Sequence, residues 1–261
     1  MNLNESDYQD YCNVCIQASR DDAIFNDFKR IPAYNHILEH TSKEQGEEYL
    51  KQIQHQFGEN QLIWDDLLYN DTFGNPTRST FVINNKQVKI SPSTLRYIHY
   101  GIEFLKFVKS TNITTPNIIE IGGGYGGQSF IISKLAPMFG VDIKAYVILD
   151  LSQPKALITK YLHKIKAPEF IKAYTLDDVS VTQNKNNVLI SNYAFAEFHP
   201  TIRQLYIDNV LQKTQAGYMV WNSPDDFDPF FKTMKIETSE EIPLTFHFNK
   251  IIKYRKEGND D

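Results

Sequence analysis

Ile118-Ile119-Glu120-Ile121-Gly122-Gly123-Gly124-Tyr125-Gly126-Gly127-Gln128-Ser129 joins a short apolar run to a glycine cluster that opens a further apolar segment. That is the pattern of a strand, a tight turn and a helix. Five glycines between positions 122 and 127 cost much chain entropy, which a turn serving only strand–helix packing does not need. Three site patterns fit the stretch. As a phosphate-binding P-loop, Gly122 and Gly127 fit, but Gln128 stands where that loop needs its lysine, and an amide cannot carry charge to a phosphate. As a dinucleotide fingerprint, Gly122, Gly124 and Gly127 fit. Here the next post-strand acid, Asp150, follows Glu120 by 30 positions rather than the usual ~20. No Tyr-x-x-x-Lys pair occurs either. The third pattern is an acid followed by alternate glycines: Glu120, Gly122, Gly124 and Gly126.

Outward from this turn the chain keeps a strand–helix rhythm. The sequence predicts helices at 127–138, 153–162 and 200–211, and buried strands at 145–149, 170–173, 188–191 and 218–221. An extended tail at 241–255 is suited to an antiparallel edge pair. Apolar strands alternating with helices imply an α/β fold, with a parallel sheet whose ligand lies at the carboxyl ends of the strands. Before Thr115-Pro116 the pattern is mainly helical. Thr41 to Gln45 offers a capping box, followed by Leu50, Ile53 and Phe57 at helical spacing. An extended pair follows at 79–83 and 87–90, and then Ser91-Pro92 opens a helix striped by Leu95, Ile98, Ile102 and Leu105. The expected division is an accessory or lid segment, 1–115, and a ligand-binding domain, 116–261.

Composition narrows the function classes. Of 261 residues, 41% are hydrophobic and 23% charged, which is ordinary globular usage. Lys and Arg total 27 against 32 Asp and Glu, a net charge of −5. No basic excess favours nucleic acid as a partner. Cys12 and Cys15 form a C-x-x-C in a polar, helical lead-in, without the second half of a zinc site or the strand-to-helix turn of a redox motif. The acidic, polar N-terminus and the absence of a spanning apolar run predict a cytoplasmic protein with no membrane span.

The chain resembles the sugar O-methyltransferase family, class I enzymes that use S-adenosylmethionine. The resemblance rests on ILEH (37–40), FGNP (73–76), ISPSTLRYIHY (90–100), IIEIGGGYGGQS (118–129), VILDL (147–151), SNYAFAEF (191–198) and GYMVWN (217–222). It runs from about residue 37 to 225, and the glycine motif and SNYAFAE are its specific pieces. It implies a Rossmann-like class I methyltransferase fold with a seven-stranded, mostly parallel sheet. The activity it implies is methyl transfer to a hydroxyl of a sugar, nucleotide sugar or glycan in surface-polysaccharide biosynthesis. The acid-glycine pattern is that class's first motif. Its ligand is a zwitterionic sulfonium rather than a phosphate. Glycines admit the amino-acid end, and a strand-end carboxylate suits its ammonium.

Site residues follow from the strand ends. Glu120, Gly122, Gly124 and Gly126, with Tyr125 and Gln128 beside them, face the cofactor. Asp150 accepts from both ribose hydroxyls. Asp177 or Asp178 accepts from the adenine amine, with an exposed acidic turn as the alternative. Asn192 and Tyr193 line the reaction centre, Asn192 toward the cofactor and Tyr193 toward the acceptor. A sugar hydroxyl is a poor acid, so a base is called for. His199 has the right ordinary pKa, or else caps the helix at Pro200. Glu197 orients the sugar, acts as base, or joins Asp225 and Asp226 around Mg2+. Those aspartates, with Asp228, read more simply as a solvated loop. Arg96 and Tyr97 reach toward cofactor or sugar, with a surface salt bridge the other account of Arg96. A homodimer through the helical segment is a further expectation. Two rival functions remain: an NAD(P)-dependent oxidoreductase on the same glycine turn, and a non-catalytic module in a glycan-assembly complex.

Overall fold

Residues 5–57, 63–224, 230–231 and 234–256 are described by a computed structural model. In chain order the elements are α1 (Glu5–Arg20), α2 (Asp22–Asp27), α3 (Pro32–Tyr34), α4 (Lys43–Phe57), α5 (Trp64–Leu68), β1 (Ser79–Ile83), β2 (Lys86–Ile90) and α6 (Pro92–Ser110). There follow β3 (Asn117–Ile121), α7 (Gly127–Leu135), β4 (Ala145–Leu149), α8 (Ser152–Lys164), β5 (Ile171–Tyr174) and β6 (Asn187–Asn192). The chain continues through α9 (Ala194–Glu197), α10 (Pro200–Asn209), β7 (Ala216–Trp221), β8 (Lys235–Glu240) and β9 (Lys250–Arg255). Among the described residues no helix is long and apolar enough to cross a membrane.

Local chemistry sets several boundaries. The capping box forms between Ser42 and Gln45: Gln45 N donates to Ser42 Oγ at 3.2 Å, and Ser42 N donates to Gln45 Oε1 at 2.9 Å. Asn84 and Asn85 take φ of +52° and +60°, the left-handed pair that closes the two-residue β1–β2 hairpin. Helix α7 stops at Leu135 rather than near 138, because the Pro137 turn continues as a 3₁₀ segment, Ala136–Phe139. Cys12 and Cys15 form no disulfide and lie buried in α1.

The chain forms two units, neither of them one continuous stretch. The first is Met1–Ile102, Gly123–Leu135 and Leu151–Glu169. Its interior is aromatic: Phe25, Phe28, Tyr34, Tyr125 and Tyr161 are all at most 1% exposed. The second is Glu103–Gly122, Ala136–Asp150 and Phe170–Asp261, and it holds the sheet. Strand order is β5-β4-β3-β6-β7-β9-β8. The pairs β3–β4, β3–β6, β4–β5 and β6–β7 are parallel, and β9 runs antiparallel to both β7 and β8. This is the α/β class with a mostly parallel seven-stranded sheet that the sequence predicts. The antiparallel pair includes β8 (Lys235–Glu240), upstream of the expected tail, and residues 241–249 connect the two strands. On one face Ile119, Ile121, Leu149, Leu189, Met219 and Trp221 pack with Tyr206 and Ile207 of α10 and with Val210 just beyond it. The order reverses between β3 and β6, which makes their carboxyl ends the switch point where such sheets bind ligands.

Candidate functional site

At the switch point the strand ends are tied to one another within the second unit. Gly122 N donates to Leu149 O at 2.9 Å, and Asp150 N to Tyr174 O at 3.1 Å. Ser191 Oγ donates to Ile121 O at 3.1 Å and accepts from Phe195 N at 3.1 Å. Tyr193 N donates to Val220 O at 3.0 Å. Gly122 has φ of +79°, and a Cβ there would lie 2.1 Å from Ala194 Cβ. Only glycine fits both the left-handed conformation and that approach.

Glu120 is 3% exposed. Burial pushes its carboxyl up to about 8, Asp150 adds to the rise, and the Tyr146 hydroxyl opposes it. Tyr146 lies close enough to act on the charge but not in hydrogen-bonding geometry: Glu120 Oε2 and the Tyr146 hydroxyl are both buried without a partner. An orphaned carboxylate oxygen in a dry site is set for a cation. Asp150 ends β4 half-buried, and Asp177 and Asp178 lie exposed after β5. Asp178 N turns back to Thr175 O and Oγ1, each at 3.2 Å. Tyr206 of α10, which the sequence did not single out, reports on this group. Burial, with Asp150 and Asp177 adding, raises its hydroxyl to about 12.

Asn192 ends β6 and Tyr193 follows it, both half-buried. Tyr193 takes φ of +69°, and its hydroxyl donates to Glu241 Oε1. Glu197 is exposed and accepts from Asn222 Nδ2 at 2.6 Å. His199 is exposed and N-caps α10, its Nδ1 accepting from Thr201 N at 3.4 Å. No group of three or more His, Cys, Asp or Glu side chains among the described residues could hold a metal ion. Asp225, Asp226 and Asp228 lie outside the described residues.

The remaining sequence candidates belong to the first unit. Gly124 and Gly126 have φ of +60° and +93°, and a Cβ on Gly124 would meet Leu38 Cδ1 at 3.0 Å. Arg96 Nη2 donates to Leu38 O at 2.8 Å, so the guanidinium is a clamp on the segment beside Gly124. The Tyr97 ring lies 5.8 Å from that of Tyr125. Gln128 is 3% exposed and donates to Tyr97 O at 2.9 Å. The Tyr125 ring points inward at 1% exposure, 3.8 Å beneath Lys29 Nζ, and its hydroxyl accepts from Asn70 Nδ2 at 2.9 Å. Tyr161 donates to Asn70 Oδ1 at 2.9 Å. Lys29 is fully buried, and burial lowers its pKa against the pull of Glu39 and Asp71.

No protein-family model matches the chain, and no curated protein is similar to it. Among solved structures it is similar to an O-methyltransferase family protein from Burkholderia thailandensis, with 9% identity, TM-score 0.43, 62% of this chain and 58% of that one. It is also similar to a SAM dependent methyltransferase from Aquifex aeolicus, with 10% identity, TM-score 0.41, 57% of this chain and 87% of that one. A third is M. capricolum TrmK in complex with S-adenosyl-homocysteine, with 14% identity, TM-score 0.39, 59% of this chain and 67% of that one. With scores this low, the strand order itself is the ground for the fold.

Proposed function

We propose that the protein is an S-adenosylmethionine-dependent O-methyltransferase acting on a hydroxyl of a sugar, nucleotide sugar or glycan. One observation carries the first part. A buried, partnerless carboxylate oxygen at Glu120 stands two residues before a left-handed Gly122 and one strand from Asp150. A dinucleotide's pyrophosphate would gain nothing from that carboxyl and would hold it in its neutral form, whereas an amino-acid ammonium favours the charged form and pairs with it. The sugar class is supported by the family resemblance of residues 37–225.

In this reading residues 116–261 hold the cofactor, and 1–115 form the accessory segment. Glu120 receives the ammonium, Asp150 the ribose hydroxyls, and Asp177 or Asp178 the adenine amine. The backbone at Gly122, Gly124 and Gly126 allows close approach. Bound S-adenosylmethionine supplies an electrophilic methyl group on a cationic sulfur. The chain's own task is to hold the acceptor oxygen in line and remove its proton, a task that falls to residues after β6. Calorimetry tests the cofactor class: S-adenosylhomocysteine binds and NAD(P) does not. The reverse result would sink the reading. Transfer of a radiolabelled methyl group into a carbohydrate extract, but not into protein or nucleic acid extracts, tests the acceptor class.

A further inference from the structure

Tyr193 is a bulky residue held in the left-handed region, φ +69°, ψ −26°, at the carboxyl end of β6. Such strain persists only where surroundings enforce it, and it concentrates at working sites. The enforcing partner comes from the β8–β9 connection. Because Trp221 of β7 and Glu240 of β8 both pair with Lys250 of β9, residues 241–249 lie at the same sheet edge as the ends of β6 and β7. Glu241 there is 1% exposed. Its Oε2 accepts from Thr245 N at 2.9 Å, Thr245 Oγ1 at 2.6 Å and Asn249 Nδ2 at 2.9 Å. Its Oε1 accepts from the Tyr193 hydroxyl.

This geometry fixes what Tyr193 can offer a ligand. Its hydroxyl hydrogen is committed to Glu241, so toward a ligand its oxygen acts as an acceptor. His199 is placed otherwise, exposed and with Nδ1 turned to the backbone of its own helix. Resting on the methyl-transfer reading, we propose that Tyr193 and Glu241 form the proton relay of the acceptor site. As the acceptor oxygen bonds to the methyl carbon, the carbon–sulfur bond breaks and its electron pair stays on sulfur. The acceptor O–H bond breaks toward Tyr193 Oη, and the Tyr193 proton passes to Glu241 Oε1. The phenol ends neutral and the carboxylate ends as a carboxylic acid; once the product has left, the same transfers in reverse return that proton through Tyr193 Oη to solvent before the next turnover. An alkylated hydroxyl is strongly acidic, so this pair suffices where a free sugar hydroxyl would demand a stronger base.

The test uses the full chain with Tyr193→Phe, Glu241→Gln and the double variant. Calorimetry with S-adenosylhomocysteine, melting temperature and the downfield proton NMR spectrum are measured for each. So is tritiated-methyl transfer from S-adenosylmethionine into a carbohydrate extract. The relay requires a downfield hydroxyl proton in the wild type that is absent from Tyr193→Phe. It also requires cofactor affinity within threefold of wild type, and transfer lowered by about 10²–10⁴-fold in each single variant. The double variant should be no slower than Tyr193→Phe, because the two act as one unit. Transfer within threefold of wild type in either single variant, additive losses, or no such proton in the wild type overturns the relay. A wild type that binds S-adenosylhomocysteine but labels no carbohydrate instead overturns the acceptor class beneath it, and the relay with it.

Discussion

Binding of S-adenosylhomocysteine should release a proton from Glu120. With its carboxyl raised to about 8 by burial, Glu120 is about 0.9 protonated at pH 7 and about half protonated at pH 8 in the free protein. An ammonium arriving beside the orphaned Oε2 favours the charged form and drives the proton off. Calorimetric titrations in phosphate and in Tris at one pH give the number released, from the dependence of the observed heat on buffer ionisation. The expected values are about 0.9 at pH 7 and about 0.5 at pH 8. Affinity should rise with pH, by at most about tenfold per unit below pH 8. Glu120→Gln should abolish the release and weaken binding about tenfold or more, since hydrogen bonds to charged groups contribute roughly 1.5–3 kcal/mol. The free protein supplies an independent check. A folded-state pKa above the ordinary value of 4.5 contributes stability that is present below that value and lost as pH rises through about 8. The melting temperature should therefore fall over that window in the wild type and stay flatter in Glu120→Gln. Equal heats in both buffers at pH 7 would refute the placement of the ammonium at Glu120.

Asp150→Ala should weaken S-adenosylhomocysteine binding about tenfold or more through lost ribose contacts, and an unchanged dissociation constant removes Asp150 from the ribose. Gly122→Ala should destabilise the fold by at least ~1–3 kcal/mol from the left-handed backbone, with the 2.1 Å approach to Ala194 Cβ adding to it. Urea unfolding measures this, and a loss under ~0.5 kcal/mol, within the range of ordinary surface substitutions, would show that the turn after β6 yields readily. His199→Ala should lose about 0.5–2 kcal/mol of stability as an N-cap, with recovery in His199→Asn and methyl transfer within threefold of wild type. A rate loss of 10²-fold or more with normal stability would restore His199 as the base.

Much of the fold is legible in local pattern because the central strands are apolar runs, interrupted only by Glu120. Ile118 to Ile121, Ala145 to Leu149 and Val188 to Ile190 sit between covered faces, so burial and sequence coincide. The edge is poorly legible for the same reason. Strand β8, Lys-Ile-Glu-Thr-Ser-Glu, is polar and exposed at nearly every position. Ile242, Leu244 and Phe246 carry the alternation of a half-buried strand but are 56%, 53% and 43% exposed in the connection beyond it. An edge strand joined to a single neighbour is held by its ladder more than by apolar burial. Helix α10 ends at Asn209 rather than 211 because Val210 leaves helical backbone, at φ −127° and ψ −65°, and nothing in its residue type announces that.

Site residues divide along the same line. Glu120, Gly122 and Asp150 were readable as candidates because each stands at or just beyond the carboxyl end of a strand, where sheets of this kind bind ligands. Glu241 was not, because its meaning lies in Tyr193, 48 positions earlier, and no local spacing joins them. Lys29 was hidden for a different reason: lysine is almost never fully buried, so sequence reasoning places it in solvent. Its burial is tolerable because the ammonium has the Tyr125 ring at 3.8 Å, Tyr161 at 5.5 Å and the Asn70 carbonyl at 3.4 Å. Asn70 in turn bonds both phenols, so the one bulky side chain within the glycine turn is fixed at its ring face and at its hydroxyl. A turn of five glycines has little rigidity of its own. A single tyrosine anchored in a dry polar cage orders that backbone where glycine cannot. The Tyr125 position thus belongs to the machinery that shapes the turn, through a side chain directed into the core.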